Sequence, residues 1–173
     1  MRILMVCLGN ICRSPIAEGV MLQKIKQHGL PWTVASAGTE SYHVGEQPHR
    51  LSQKVCLENG IDISGLRATR FTRADFKNYD IIYAFADDVY REISSIGSSH
   101  TSMENVDYFL NELYNYHHAG NEMKLQIDEW KITKNASVPD PYYGGEEGYH
   151  LVYRLIDATC NSIIENYKKQ TYV

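Results

Sequence analysis

Residues 2–6, Arg-Ile-Leu-Met-Val, form a short and nearly continuous apolar run that leads straight into Cys7-Leu8-Gly9-Asn10-Ile11-Cys12-Arg13-Ser14-Pro15. This junction constrains the fold more than any other stretch of the chain. An unbroken apolar run of this length suits a strand covered on both faces, the environment of a parallel sheet. Ser14 and Pro15 mark a helix start, with serine as the expected cap and proline tolerated in the first turn. Ile16, Val20, Met21 and Ile25 then recur at helical spacing until Gly29 supplies a stop. The chain opens as strand, turn, helix.

The same alternation continues. Residues 33–37 (TVASA) predict a second strand ended by Gly38, and Leu51, Val55 and Leu57 before Asn59-Gly60 predict a second helix. Thr72 with Asp75 is a weak capping box for a short helix. Residues 80–85 (DIIYAF) read as a third strand, residues 87–96 as a helix, and a fourth strand is expected between Met103 and Asn135. Leu151, Leu155, Ile156, Thr159, Ile163 and Tyr167 predict a long amphipathic C-terminal helix. Strands alternating with helices imply a parallel α/β sheet joined by right-handed crossovers, with ligands beyond the carboxyl ends of the strands. At 173 residues without linker, repeat or low-complexity tract, residues 1–173 are expected to form a single domain.

Composition narrows the function classes. A net charge of −4 gives no support to a nucleic-acid or membrane surface role, and no apolar run approaches the length of a membrane span. The first ten residues lack the length and cleavage site of a signal peptide, so a cytoplasmic location is expected. The four cysteines (Cys7, Cys12, Cys56, Cys160) do not pair at zinc-site spacings, and a reducing compartment argues against structural disulfides. The seven histidines form no ligand pattern, adjacent His117 and His118 would point in different directions, and no metal site is expected.

The turn after the first strand carries chemistry. A cysteine and an arginine six positions apart are a weak signal alone, but here they lie between strand and helix, where backbone N–H groups converge into an anion nest. Gly9 permits backbone geometry that a residue with a Cβ resists. Arg13 offers a planar fork to two oxygens of a tetrahedral anion. Helix N-termini and nearby cations lower thiol pKa values, so Cys7 is expected to be a thiolate able to attack phosphorus in line. Ser14 is placed to donate to that thiolate and Asn10 to brace the loop.

Expelling an alkoxide or phenolate from phosphorus also needs an acid. Asp140, between Pro139 and Pro141, has its backbone restricted on both sides, and Tyr142 and Tyr143 follow as an aromatic wall for a flat substrate group. The bland alternatives are a buried apolar Cys7 and an ordinary proline-flanked turn. Finding both motifs in one chain favours an active site.

These residues resemble the low-molecular-weight protein tyrosine phosphatases, through VCLGNICRSPIAE, SAGT at Ser36–Thr39, the DIIYAF strand, DPYYGG and the C-terminal helix. The resemblance implies a flavodoxin-like four-stranded parallel sheet with helices on both faces, a three-layer α/β/α arrangement with no metal or organic cofactor. It implies that Cys7 becomes a phosphocysteine, that Leu8, Gly9, Asn10, Ile11, Cys12, Arg13 and Ser14 surround the phosphoryl group, and that Asp140 serves as acid and then base. It also implies that Cys12 forms a reversible disulfide with Cys7, which protects the nucleophile from irreversible oxidation. The partner is then a phosphotyrosine protein, with a tyrosine autokinase among the candidates, and the chain is expected to act as a monomer or weak dimer.

The chain departs from the family pattern at several points. Ala86 and Val89 stand after the third strand where a methionine and an asparagine are common, and Leu66 replaces a frequent histidine. His49 takes the place of an aromatic residue flanking the cleft, so that wall is expected to be weaker or pH-sensitive. The segment from about 98 to 138 is longer than is common. Two other functions share parts of this pattern. A thiol-dependent arsenate reductase needs further cysteines near the third strand, which this chain lacks; a phosphotyrosine reader needs neither Cys7 nor Asp140.

Overall fold

The computed structural model describes residues 1–97, 103–116 and 127–171, with side chains through Lys168. Strands β1 (Arg2–Cys7), β2 (Thr33–Gly38), β3 (Ile81–Ala84) and β4 (Val106–Tyr108) form one sheet in the order β2-β1-β3-β4, and every pair is parallel. The chain leaves β1 for β2 on one side, then crosses back to β3 on the other. Its direction reverses at the carboxyl end of β1, the point where open α/β sheets bind ligands. Cys7 is the last residue of that strand, paired with Gly38 of β2.

Alternation along the strands sorts their side chains into two cores. Ile3, Met5 and Cys7 face one side with Tyr83, where they meet α1 (Arg13–Gln27), α2 (Arg50–Glu58) and the C-terminal helix. Leu4, Val6, Ile82 and Ala84 face the other, where Phe76 of α3 (Asp75–Asn78) and Val89 and Ile93 of α4 (Asp87–Gly97) cover them. Residues 3–7 are all buried, as the opening apolar run predicts for a strand covered twice. Helix α5 (Asn111–Tyr114) follows β4, and α6 (Glu146–Thr171) is the long C-terminal helix. Helices thus lie on both faces of a four-stranded parallel sheet, the expected α/β fold. Among the described residues no helix is long and apolar enough to cross a membrane.

Two local expectations change. Helix α1 starts at Arg13, so Ser14 lies inside its first turn rather than capping it; Cys12 occupies the cap position without a side-chain hydrogen bond. The Ser14 hydroxyl is engaged by Cys7 and Asn10 instead. In α2 the buried positions are Ser52, Val55 and Cys56, whereas Leu57 is exposed, because the helix turns that flank to solvent. Of the longer segment over 98–138, residues 98–102 and 117–126 lie outside the described residues, and with them His117, His118 and Gly120.

The described end of that segment is tied to the sheet by one side chain. Asn111 is buried; its amide donates to Asp107 Oδ1 at 2.7 Å and Asn135 Oδ1 at 3.1 Å, and its carbonyl accepts the Asn135 N–H at 2.6 Å. Three residues on, the Val138 N–H donates to the Phe85 carbonyl at 2.7 Å, just past β3. Replacing Asn111 by alanine removes these three hydrogen bonds, each worth about 0.5–1.5 kcal/mol net. Urea unfolding of Asn111→Ala is expected to show that destabilisation, and a wild-type midpoint would contradict the anchor.

Candidate active site

The turn after β1 is shaped from outside. The carbonyls of Cys7 and Leu8 accept the N–H groups of Thr39 at 3.0 Å and Glu40 at 2.9 Å; that of Ile11 accepts the His49 N–H at 2.7 Å. The Cys12 carbonyl accepts the Ser52 hydroxyl at 3.4 Å. In a trans peptide the N–H points opposite to the carbonyl it is bonded to. Pulling these four carbonyls outward therefore aims the N–H groups of Leu8, Gly9, Cys12 and Arg13 inward, the geometry of an anion nest. The α1 dipole adds its positive end.

Cys7 Sγ sits inside this ring. It accepts the Asn10 N–H at 3.3 Å and lies 3.0 Å from the Ser14 hydroxyl. Asn10 takes the left-handed conformation, with φ 55°, which asparagine tolerates better than most residues. The sequence assigns that backbone freedom to Gly9, but what Gly9 provides is space, since a Cβ there would meet His43 Cδ2 at 3.2 Å. Asn10 Oδ1 accepts the Thr69 N–H at 2.9 Å, which fixes the amide flip. Its Nδ2 then donates to Ser14 Oγ at 2.8 Å and to Ser36 Oγ at 2.9 Å. With an oxygen lone pair of Ser14 taken by Asn10, its single hydrogen is free for Cys7.

The second motif arrives from the far end of the chain. Arg13 is nearly buried; its guanidinium donates to the Val138 carbonyl at 3.1 Å and to Asp140 Oδ2 at 3.1 Å. The other Asp140 oxygen accepts the Tyr142 N–H at 3.0 Å. Cys7, Leu8, Gly9, Ile11, Cys12, Arg13, Asp140, Tyr142 and Tyr143 line one cavity of about 260 Å³. Asn10 and Ser14 stand behind its floor. The residues expected at the site are thus gathered, with one exception.

His49 does not line the cavity. Its ring stacks on Tyr149 at 5.2 Å and meets Tyr142 edge-on at 5.9 Å, while Nδ1 accepts the Leu51 N–H and caps α2. Burial, with Arg50 nearby, lowers its pKa and favours neutral imidazole. It supports the wall from behind. Tyr42 and His43 complete the lining instead, with His43 Nδ1 2.8 Å from Glu46. No spacing pattern in the sequence marks these two, because they lie in an irregular loop. Ser36, Gly38 and Thr69 also escape local pattern reading, since their roles depend on long-range pairing.

The other thiols differ in setting. Cys12 lies 3.5 Å from the Tyr149 hydroxyl, and burial pushes its pKa up to about 11. Burial pushes Cys56 up to about 12 and Cys160 higher still, and neither borders the cavity. Among the described residues Glu58, Glu146 and His150 gather at the surface, where Lys54 pairs with Glu146 and His150 with Glu58 at 2.8 Å.

The family model for low molecular weight phosphotyrosine protein phosphatase matches residues 2–172. The chain belongs to this family. Its members are cysteine-dependent, metal-independent hydrolases. A phosphatase of this family from Schizosaccharomyces pombe is 32% identical, covering 92% of this chain and 93% of its own. The solved tyrosine phosphatase of Entamoeba histolytica, with Hepes in its active site, is 32% identical over 99% of both chains, with a TM-score of 0.80. A Drosophila arginine phosphatase shares the fold, with a TM-score of 0.80, 24% identity, and coverage of 97% of this chain and 98% of its own.

Gly38 offers a direct test of the loop's frame. A Cβ there would lie 2.7 Å from the Leu8 carbonyl oxygen and 3.1 Å from the Asn10 nitrogen, both backbone atoms of the phosphatase loop. Gly38→Ala must displace the loop, and misplacement by about 1 Å costs on the order of a hundredfold in turnover. Assay with p-nitrophenyl phosphate should show that loss together with weaker inhibition by inorganic phosphate. Wild-type values for both would contradict the assigned frame.

Proposed function

We propose that this phosphatase hydrolyses phosphotyrosine in two steps through a phosphocysteine, with Cys7 as nucleophile, Arg13 as phosphoryl ligand and Asp140 as general acid and base. The observation that carries the reading is the sulfur held between the Asn10 N–H and the Ser14 hydroxyl, in the cavity that Arg13 and Asp140 also line. The phosphoryl oxygens occupy the nest and the guanidinium fork, drawing Arg13 from Asp140. Cys7 attacks phosphorus as the tyrosyl oxygen leaves with the proton of Asp140. Asp140, now ionised, takes a proton from water, whose oxygen attacks phosphorus. Phosphate departs, and Ser14 stabilises the thiolate leaving with its electron pair.

Substrate class follows from the lining. Leu8, Ile11, Tyr42, Tyr142 and Tyr143 offer apolar and aromatic surface to a flat ring. Among the described residues Asp140 is the one carboxylate that lines the cavity and is committed to the leaving oxygen, so a phosphorylated guanidinium lacks a second carboxylate acceptor among them. This favours phosphotyrosine over the phosphoarginine that other enzymes of this fold hydrolyse. The reading takes residues 1–173 as one domain, with the longer 98–138 segment leading into the acid loop. It takes the substrate as a phosphotyrosine protein met in the cytoplasm, a tyrosine autokinase among the candidates.

Three measurements follow. Cys7→Ser should abolish hydrolysis of p-nitrophenyl phosphate, and retained activity would defeat the reading. Asp140→Asn should depress turnover of phosphotyrosine by roughly 10²–10⁴, and far less for esters of strongly acidic phenols. Equal losses would remove Asp140 from the leaving-group step. Because the mechanism uses Asp140 as an acid in the first step and as a base in the second, turnover should fall at both ends of the pH range.

Cys12 acts in redox protection in this reading. Peroxide oxidises the Cys7 thiolate to a sulfenic acid; Cys12 sulfur then attacks it, and the departing hydroxide leaves as water with the Cys12 proton. Cys12 stays a thiol at neutral pH, because its pKa is raised. Cys12→Ser should recover less activity than wild type when peroxide-treated protein is reduced with dithiothreitol. Equal recovery would exclude the role.

A further inference from the structure

Ser14 and Glu18 stand four residues apart on α1 and so share one face of that helix. Both face Ser36 and Asn10. The Ser36 hydroxyl donates to Glu18 Oε2 at 2.5 Å. Ser36 Oγ accepts Asn10 Nδ2 at 2.9 Å; the same amide reaches Ser14 at 2.8 Å, and Ser14 reaches Cys7 at 3.0 Å. A continuous chain of hydrogen bonds runs from a carboxylate outside the cavity to the sulfur inside it.

The direction of each bond is settled by what each group can do. The Thr69 N–H only donates, so the Asn10 oxygen faces it and the Asn10 amide must donate twice. Ser14 and Ser36 both receive from that amide, and each has one hydrogen left to place. Ser14 gives its hydrogen to Cys7. Ser36 gives its own to Glu18, an acceptor that cannot compete as a donor while ionised. Without that acceptor the Ser36 hydroxyl loses the bond that fixes its rotor.

Stability alone does not account for a carboxylate here. Glu18 is half-buried, and burial raises its pKa. Arg67, Arg70, Asp75 and Tyr79 line the open cleft of about 400 Å³ beside it, yet Glu18 forms no ion pair among the described residues. Partial desolvation without a cation is unfavourable. From the bond directions we infer that Glu18 is a positioning residue for the phosphatase reaction, holding Ser36, Asn10 and Ser14 in the orientation that presents the Ser14 hydrogen to Cys7. The inference rests on Cys7 as the nucleophile.

The test compares Glu18→Ala, Glu18→Gln, Ser36→Ala, the double alanine variant and Cys7→Ser. Two quantities are read: the pH midpoint of Cys7 alkylation by iodoacetamide, located by peptide mass, and kcat and KM for p-nitrophenyl phosphate. Glu18→Ala should move the midpoint upward by roughly one pH unit and lower kcat about tenfold, with KM little changed. Glu18→Gln should stay within about twofold of wild type, because its amide oxygen still accepts the Ser36 hydroxyl. Ser36→Ala should match Glu18→Ala, and the double variant should be no worse than either single one. A wild-type midpoint in both Glu18→Ala and Ser36→Ala would overturn the inference, as would additive losses. Should Glu18→Ala fail to fold, a wild-type midpoint in Ser36→Ala overturns it alone. An active Cys7→Ser variant would instead remove the nucleophile on which the inference rests.

Discussion

Hydrogen bonds from Thr39, Glu40, His49 and Ser52 draw the carbonyls of the turn after β1 away from its interior, and the chemistry of the chain depends on that pull. A short turn left to itself would satisfy its polar groups with water in many conformations. Here the donors come from the end of β2, from the following loop and from α2, all fixed by the sheet and its first crossover. The inward N–H groups follow from peptide planarity rather than from any charged side chain. That is why the loop can hold a sulfur and a set of inward N–H groups in one small volume.

The Asp140 loop depends on the sheet in the same way. Val138 hangs from Phe85, and the Arg13 guanidinium bonds the Val138 carbonyl and the Asp140 carboxylate together. Arg13 therefore links two motifs 127 residues apart before any substrate arrives. Tyr149 and His49 brace the aromatic wall from the α6 and α2 sides, so its shape is set by packed elements and not by the exposed Tyr143.

Much of this was legible in the sequence, for identifiable reasons. Residues 2–6 announce a doubly covered strand because both faces are apolar, and the Cys7–Pro15 stretch places its chemistry where a strand meets a helix. Asp140 could be picked out because prolines on both sides restrict it. Ser14 shows the limit of local reading: serine before proline is a good cap by propensity, but its hydroxyl serves the thiol instead. The family resemblance puts His49 in the wall, yet its ring packs on Tyr142 and Tyr149 while Tyr42 and His43 reach the cavity. Ser36, Thr69 and Glu18 form one network only because β2, α1 and the loop after residue 66 converge, a pairing no local window contains.

The central claim is that Cys7 carries the phosphoryl group between two displacements. Rapid quenching of the enzyme in alkaline denaturant, where a phosphorus–sulfur ester survives, during turnover of p-nitrophenyl phosphate, followed by peptide mass analysis, tests it most directly. The account predicts a phosphoryl adduct on the peptide carrying Cys7, formed within the first turnover and lost as phosphate is released. A phosphoryl group on another residue, or turnover with no covalent adduct at any quench time, would contradict it.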